Sequence, residues 1–247
     1  MKKFLKISVW VLTIAAVACL WYFTHKDHVE HPLKGVELTL DRANENGFID
    51  KDAVYRQIIK ICDTVHNNDI TKIPLDSVRN YLKSIPWAIY TDANITFDEM
   101  MVVNIVECQP IMRIYLKNGS SVFLDEDGNV YPSKAGYTAH LLIGSGNVMR
   151  NDVPKMYKVM KAVLNNSYSK CCVKQVYYDG KNYELVMNNV DLRVILGDAN
   201  DVDEKLMNMK YFFEQMQGSP ELHNYSKINF NFENQVVCTK NKNKNIR

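Results

Sequence analysis

Apolar and polar residues alternate from Val102 to Glu107, with Val103, Ile105 and Glu107 on one side and Val102, Asn104 and Val106 on the other. A period of two is the signature of a half-buried strand. The pattern resumes as Ile111, Arg113 and Tyr115, and Pro110 stands between the two runs. Proline has no N–H to give a sheet ladder, so it suits a place where pairing stops. The chain is therefore expected to pass from one domain to another at Pro110.

Upstream, 33–40 reads as a strand. A helix over 48–65 follows, with Asp50 as N-cap and Val54, Ile58, Ile61 and Val65 on one stripe. A second helix starts at Pro74, carries Leu75, Val78 and Leu82, and stops at Pro86. Strands over 87–97 and 100–107, closed by Asp98 and Glu99, complete a β-α-α-β-β domain over 33–109. Downstream the texture changes to short strands at 111–117, 121–128 and 129–132, the first two joined at Asn118-Gly119. A helix over 151–165 has Val153, Tyr157, Met160 and Leu164 on its stripe, and strands at 173–178, 183–187 and 192–196 follow. Val202, Leu206, Met209, Phe213 and Met216 mark another helix, and 225–237 is the last strand of a β domain over 110–237. The Lys-rich stretch 238–247 has no apolar period and is expected to be a disordered tail.

The N-terminus changes the picture. Residues 7–23 carry no charge, are bordered by Trp10, Trp21, Tyr22 and Phe23, and follow Lys2, Lys3 and Lys6. This predicts one transmembrane helix in contact with the lipid bilayer, residues 1–6 in the cytoplasm, a polar linker over 24–32, and the rest outside the cytoplasm. Cleavage at the small-residue stretch ending in Cys19 is the competing reading, but it would leave the apolar residues Leu20 to Phe23 in water. The fold class expected is α+β: one membrane helix, a β-α-α-β-β domain, and a mixed β domain with two helices.

Composition adds exclusions. With 247 residues, 47% hydrophobic, the chain can bury two modest cores. The formal charge of +2 is carried by the ends; without Lys2, Lys3, Lys6, Lys240, Lys242, Lys244 and Arg247 the body is net acidic, which argues against nucleic acid. Six cysteines show no C-x-x-C spacing, and His25, His28 and His31 are spread too widely on a helix to share a metal. The loop 125–128 (DEDG) has its glycine at position 4 and no glutamate at position 12, so it reads as a turn and not a calcium loop. The GSG at 144–146 reads as a plain loop, and no nucleophile elbow, zinc helix or phosphate loop occurs. The expectation is a non-enzymatic binding protein with no catalytic residue, cofactor or metal.

The stretch 85–115 is similar to one in the FtsQ/DivIB family of bacterial division proteins, a strand pair followed by an acidic residue, a basic residue, a variable residue and proline. Glu107 and Pro110 match, and Cys108 replaces the basic residue. Asp125, Gly128 and Tyr131, the LLIG at 141–144, and the ILG at 195–197 with Lys205 and Leu206 downstream match as well. The resemblance implies a membrane anchor, a POTRA domain and a β domain in the inner-membrane divisome. It also implies FtsL and FtsB/DivIC-type partners and an influence on the septal wall synthase. The runner-up is a membrane-anchored envelope protein that binds a ligand or processes polysaccharide. In the family the C-terminal strand region receives the partner, and here the last strand ends the folded chain. Ile228, Asn229, Phe230, Asn231, Phe232, Glu233 and Asn234 are therefore expected to form an exposed partner-binding edge, with Ile228, Phe230 and Phe232 facing the core.

Overall fold

The computed structural model describes residues 2–27, 32–42, 47–63, 70–134, 141–188, 192–233 and 235–241. The chain divides into two compact units, Met1–Cys108 and Gln109–Arg247.

The first unit opens with helix α1 (Lys2–Asp27), whose side chains from Trp10 to Tyr22 are exposed. Among the described residues, however, no helix is long and apolar enough to cross a membrane. This corrects the transmembrane segment expected over 7–23. At about 1.5 Å per residue that uncharged stretch is only about 25 Å long, against a hydrocarbon core of roughly 30 Å.

Strand β1 (Gly35–Asp41), helices α2 (Lys51–Cys62) and α3 (Leu75–Lys83), and strands β2 (Ala88–Ile95) and β3 (Met100–Glu107) follow in the β-α-α-β-β order. The sheet order is β1-β3-β2, with β1 parallel and β2 antiparallel to β3. Leu38, Ala93, Met101, Val103 and Ile105 form its buried face, and Val54, Ile58, Val78 and Leu82 are the buried residues of the two helices. Asp50 caps α2 by accepting from the N–H groups of Asp52 and Ala53 at 3.0 and 3.1 Å, an arrangement worth about 1 kcal/mol. Of the expected helix end, residues 64 and 65 lie outside the described residues.

Glu107 continues the inward row of β3 and is 2% exposed. Its Oε1 accepts from the N–H groups of Phe48 and Ile49, which ties the start of α2 to the end of the sheet. Phe48 in turn stacks on Trp87 with ring centroids 3.8 Å apart.

The second unit begins beside Pro110 and holds β4 (Met112–Tyr115), β5 (Ser121–Leu124), β6 (Val130–Pro132) and β7 (Leu142–Gly146). Helices α4 (Val153–Asn165) and α5 (Ser167–Cys172), strands β8 (Val173–Tyr178), β9 (Tyr183–Met187) and β10 (Arg193–Gly197), helix α6 (Val202–Gln215), and strands β11 (Tyr225–Asn229) and β12 (Val237–Lys240) follow. One nine-stranded sheet results, in the order β12-β11-β10-β9-β8-β7-β4-β5-β6, with parallel pairs β4/β7, β7/β8 and β10/β11. Its core joins Ile114, Val176, Leu185, Val194 and Ile228 of the strands to Met156, Met160, Leu206 and Met209 of the helices. Helix α4 comes so close to β7 that a Cβ on Gly144 would stand 2.9 Å from Met156 Cε and Met160 Sδ.

Three expectations are corrected here. The 144–146 GSG is the end of β7, held between β4 and β8, not a plain loop. The buried stripe of α4 is Val153, Met156, Val159, Met160 and Val163, so Tyr157 and Leu164 sit at its margin. Residues 238–240 of the expected tail form β12, and 242–247 lie outside the described residues.

Candidate partner-binding edge

The seven residues expected at the sheet edge are placed differently by the structure. Ile228 and Asn229 end β11, and Ile228 pairs in parallel with Val194 of β10. The Phe230 N–H still reaches Ile195 O at 2.8 Å, and Ile228 and Phe230 are buried as expected. The alternation then loses its phase. Asn231 N–H folds back onto Asn229 Oδ1 at 2.9 Å, so Phe232, Asn231 and Glu233 are all exposed, and Asn234 lies outside the described residues.

The side of β11 away from β10 is not open, because β12 returns antiparallel along it with Asn229 opposite Val237 and Ile228 opposite Cys238. The signal for β12 was faint in the sequence. It is four residues long, three of its side chains are exposed, and it merges into a lysine-rich run.

The edge of the sheet is therefore β12. Asn241 N–H donates to Asn224 O at 2.7 Å, and Thr239 O accepts from Ser226 Oγ at 3.3 Å. Both face β11, so the backbone groups of Val237, Thr239 and Asn241 point inward. Alternation then turns the N–H and C=O of Cys238 and Lys240 away from β11, on the side where no strand of the described residues pairs. Phe232, Val236 and Val237 expose apolar surface beside it, at 46%, 37% and 43%. The opposite edge, β6, has three residues and ends in Pro132, which offers no N–H.

The close approach of the loop after β11 depends on Gly197, at φ +79°, where a Cβ would overlap the side chain of Asn231. This gives the ILG sequence at 195–197 a packing role. Likewise Asp125 and Tyr131 are structural. The carboxylate accepts from the N–H groups of Asp127 and Asn129, from Asn129 Nδ2, and from Tyr131 Oη, all at 2.9 to 3.0 Å.

A cavity of about 580 Å³ lies beside α5 and α6, with Tyr168, Cys172 and Glu214 on its wall. Burial, aided by Cys172 and Glu214, pushes the Tyr168 hydroxyl up to about 12. It stays protonated near neutrality and cannot serve as a base there.

A family model described as FtsQ/DivIB, C-terminal related, matches residues 109–239, more than half of the chain. It starts where the second unit starts and runs into β12, so it takes in the whole nine-stranded sheet up to Thr239. The chain belongs to the FtsQ/DivIB family. No curated protein matches its sequence. FtsQ/DivIB proteins are non-enzymatic division proteins, and membership makes this chain a cell-division protein whose partners are other division proteins.

Proposed function

We propose that this FtsQ/DivIB chain is a divisome scaffold that adds a strand of an FtsL or FtsB/DivIC-type partner to the edge of β12. Through that contact it regulates septal cell-wall synthesis. The observation that carries the reading is the open edge of β12 inside the segment that the family model matches. Main-chain pairing would supply affinity, and the exposed Phe232, Val236 and Val237 would supply apolar contact for alternate side chains of the partner. On this reading Ile228 and Asn229 lie behind the bound strand, pairing to the inner side of β12. The first unit, with its β-α-α-β-β order, is read as a POTRA-type module. The second unit is placed outside the cytoplasm, because the septal wall is built there.

A photoreactive amino acid at Val237 or Lys240 tests this in dividing cells. Crosslinks to FtsL or FtsB/DivIC-type proteins are expected, and they should fade when the same probe is moved to Tyr115 on an inner strand. Capture of cytoplasmic proteins alone, or equal capture from both places, would show that β12 is not the docking edge.

A further inference from the structure

A cavity of about 670 Å³ opens on the second unit where the first residues of β7 and β8 meet the ends of α4 and α5. Its floor is aliphatic: Leu142 and Val173 are buried, and Ile111 and Leu164 are half-buried. Its charged lining is Lys161, Lys170 and Lys174 with one carboxylate, Glu126. Such a volume suits a few residues of extended peptide or a small molecule.

The three lysines are not equivalent. Lys161 is engaged, its Nζ 2.9 Å from Glu126 O and 3.2 Å from Glu126 Oε1. Lys170 and Lys174 are exposed, with no carboxylate at ion-pair distance among the described residues. Lysines gather at helix C-termini to offset the carbonyl ends, and Lys170, in the last turn of α5, fits that account. Lys174 does not, since it is the second residue of strand β8. Two uncompensated cations over an aliphatic floor, on a body that is otherwise acidic, form a local field that selects for anions.

We propose that this cavity docks an acidic peptide segment, one aliphatic side chain entering between Leu142, Leu164 and Val173 while flanking carboxylates meet Lys170 and Lys174. A peptide fits better than a compact anion, because the floor would leave a small polar ion against apolar carbon while its charge needs only the rim. The Asn165 and Asn188 amides also line the cavity. Asn188 Nδ2 is held by Cys171 O at 3.2 Å, which fixes that side chain in place. The inference does not depend on the division role or on β12.

The test uses the full chain with labelled Ile, Leu and Val methyl groups, titrated with acetyl-Glu-Leu-Glu-amide. Acetyl-Lys-Leu-Lys-amide and octanoate serve as comparisons. Shifts concentrated at the Leu142, Leu164 and Val173 methyls are expected with the acidic peptide and absent with the basic one. The double variant K170E/K174E should weaken the acidic peptide about tenfold or more, and should begin to bind the basic one. Both lysines are exposed, so the variant should keep its methyl spectrum; if it does not, K174Q replaces it, with a smaller loss expected. Three outcomes would each overturn the proposal: no shift at these methyls at millimolar acidic peptide, equal affinity in wild type and variant, or tighter binding of octanoate than of the peptide.

Discussion

Two carboxylates show how single residues hold the two units together internally. Asp125 is pushed toward a higher pKa by burial, but the hydrogen bonds from Asn129, Tyr131 and Asp127 outweigh this and hold it below the ordinary value of 3.8. A depressed folded-state pKa stabilises the protein above the unfolded pKa, and that stabilisation is lost as pH falls through the folded value. Acid unfolding followed by circular dichroism should therefore be shallower for Asp125→Asn than for wild type, and the variant should be less stable at neutral pH by about 1–3 kcal/mol. Glu107 acts at the other unit. Its Oε1 receives two backbone N–H groups, while Oε2 is buried with no hydrogen-bond partner among the described residues. Glu107→Ala takes that acceptor away and should cost about 2 kcal/mol or more in denaturant unfolding, whereas Glu107→Gln keeps an oxygen for the two donors and should cost much less.

At the scale of elements, the sharpest expectation concerns β12. Backbone groups of Val237 and Thr239 bond inward to β11, and those of Cys238 and Lys240 point outward. Proline at 237 or 239 should loosen the β11–β12 pair and lower the melting temperature. Proline at 238 or 240 removes an outward N–H and should leave melting nearly unchanged while abolishing partner capture. Loss of folding and capture together at all four positions would mean that β12 serves only to close the sheet. Elements of this kind differ in how legible they are. Strands β8 and β9 coincide with the sequence expectation; in β9 a full period-two run buries Tyr183, Leu185 and Met187, whereas in β8 a register shift between Val173 and Gln175 leaves the buried residues Val173 and Val176 three apart. The end of β11 was obscured because Phe232 prolongs the alternation of Ile228 and Phe230 although the ladder has already stopped. The α4 stripe came out rotated because Tyr157 looks like a core residue by type. Instead its hydroxyl bonds Glu126 O at 2.7 Å while its ring packs at Gly128. The edge at β12 and the lysine-rimmed cavity depend on long-range pairing, which no local period encodes.

For the whole molecule, the division at Cys108 and Gln109 has a physical cause that can be tested on fragments. Among the described residues each unit has a sheet of its own, three strands in one and nine in the other. A core that closes within one segment carries its own driving force, because apolar burial is what offsets the loss of chain entropy. The fragment 33–108 retains Leu38, Ile58, Leu82, Val103 and Ile105, all nearly inaccessible to solvent, and the fragment 109–241 retains the whole cluster around Ile114, Met160, Leu185 and Leu206. Both should give dispersed amide spectra and cooperative thermal transitions. Small domains are the more marginal, since a shorter chain buries a smaller share of its surface, so 33–108 should have less stability to lose. Ile58→Ala in that fragment removes a side chain with no solvent exposure and should cost about 2–5 kcal/mol, enough to unfold much of the population at room temperature. The same fragment with Ile89→Ala, at a site 56% exposed, should melt within a few degrees of the parent. If 33–108 gives a collapsed spectrum even without substitution, its core is incomplete and the division of the chain lies elsewhere.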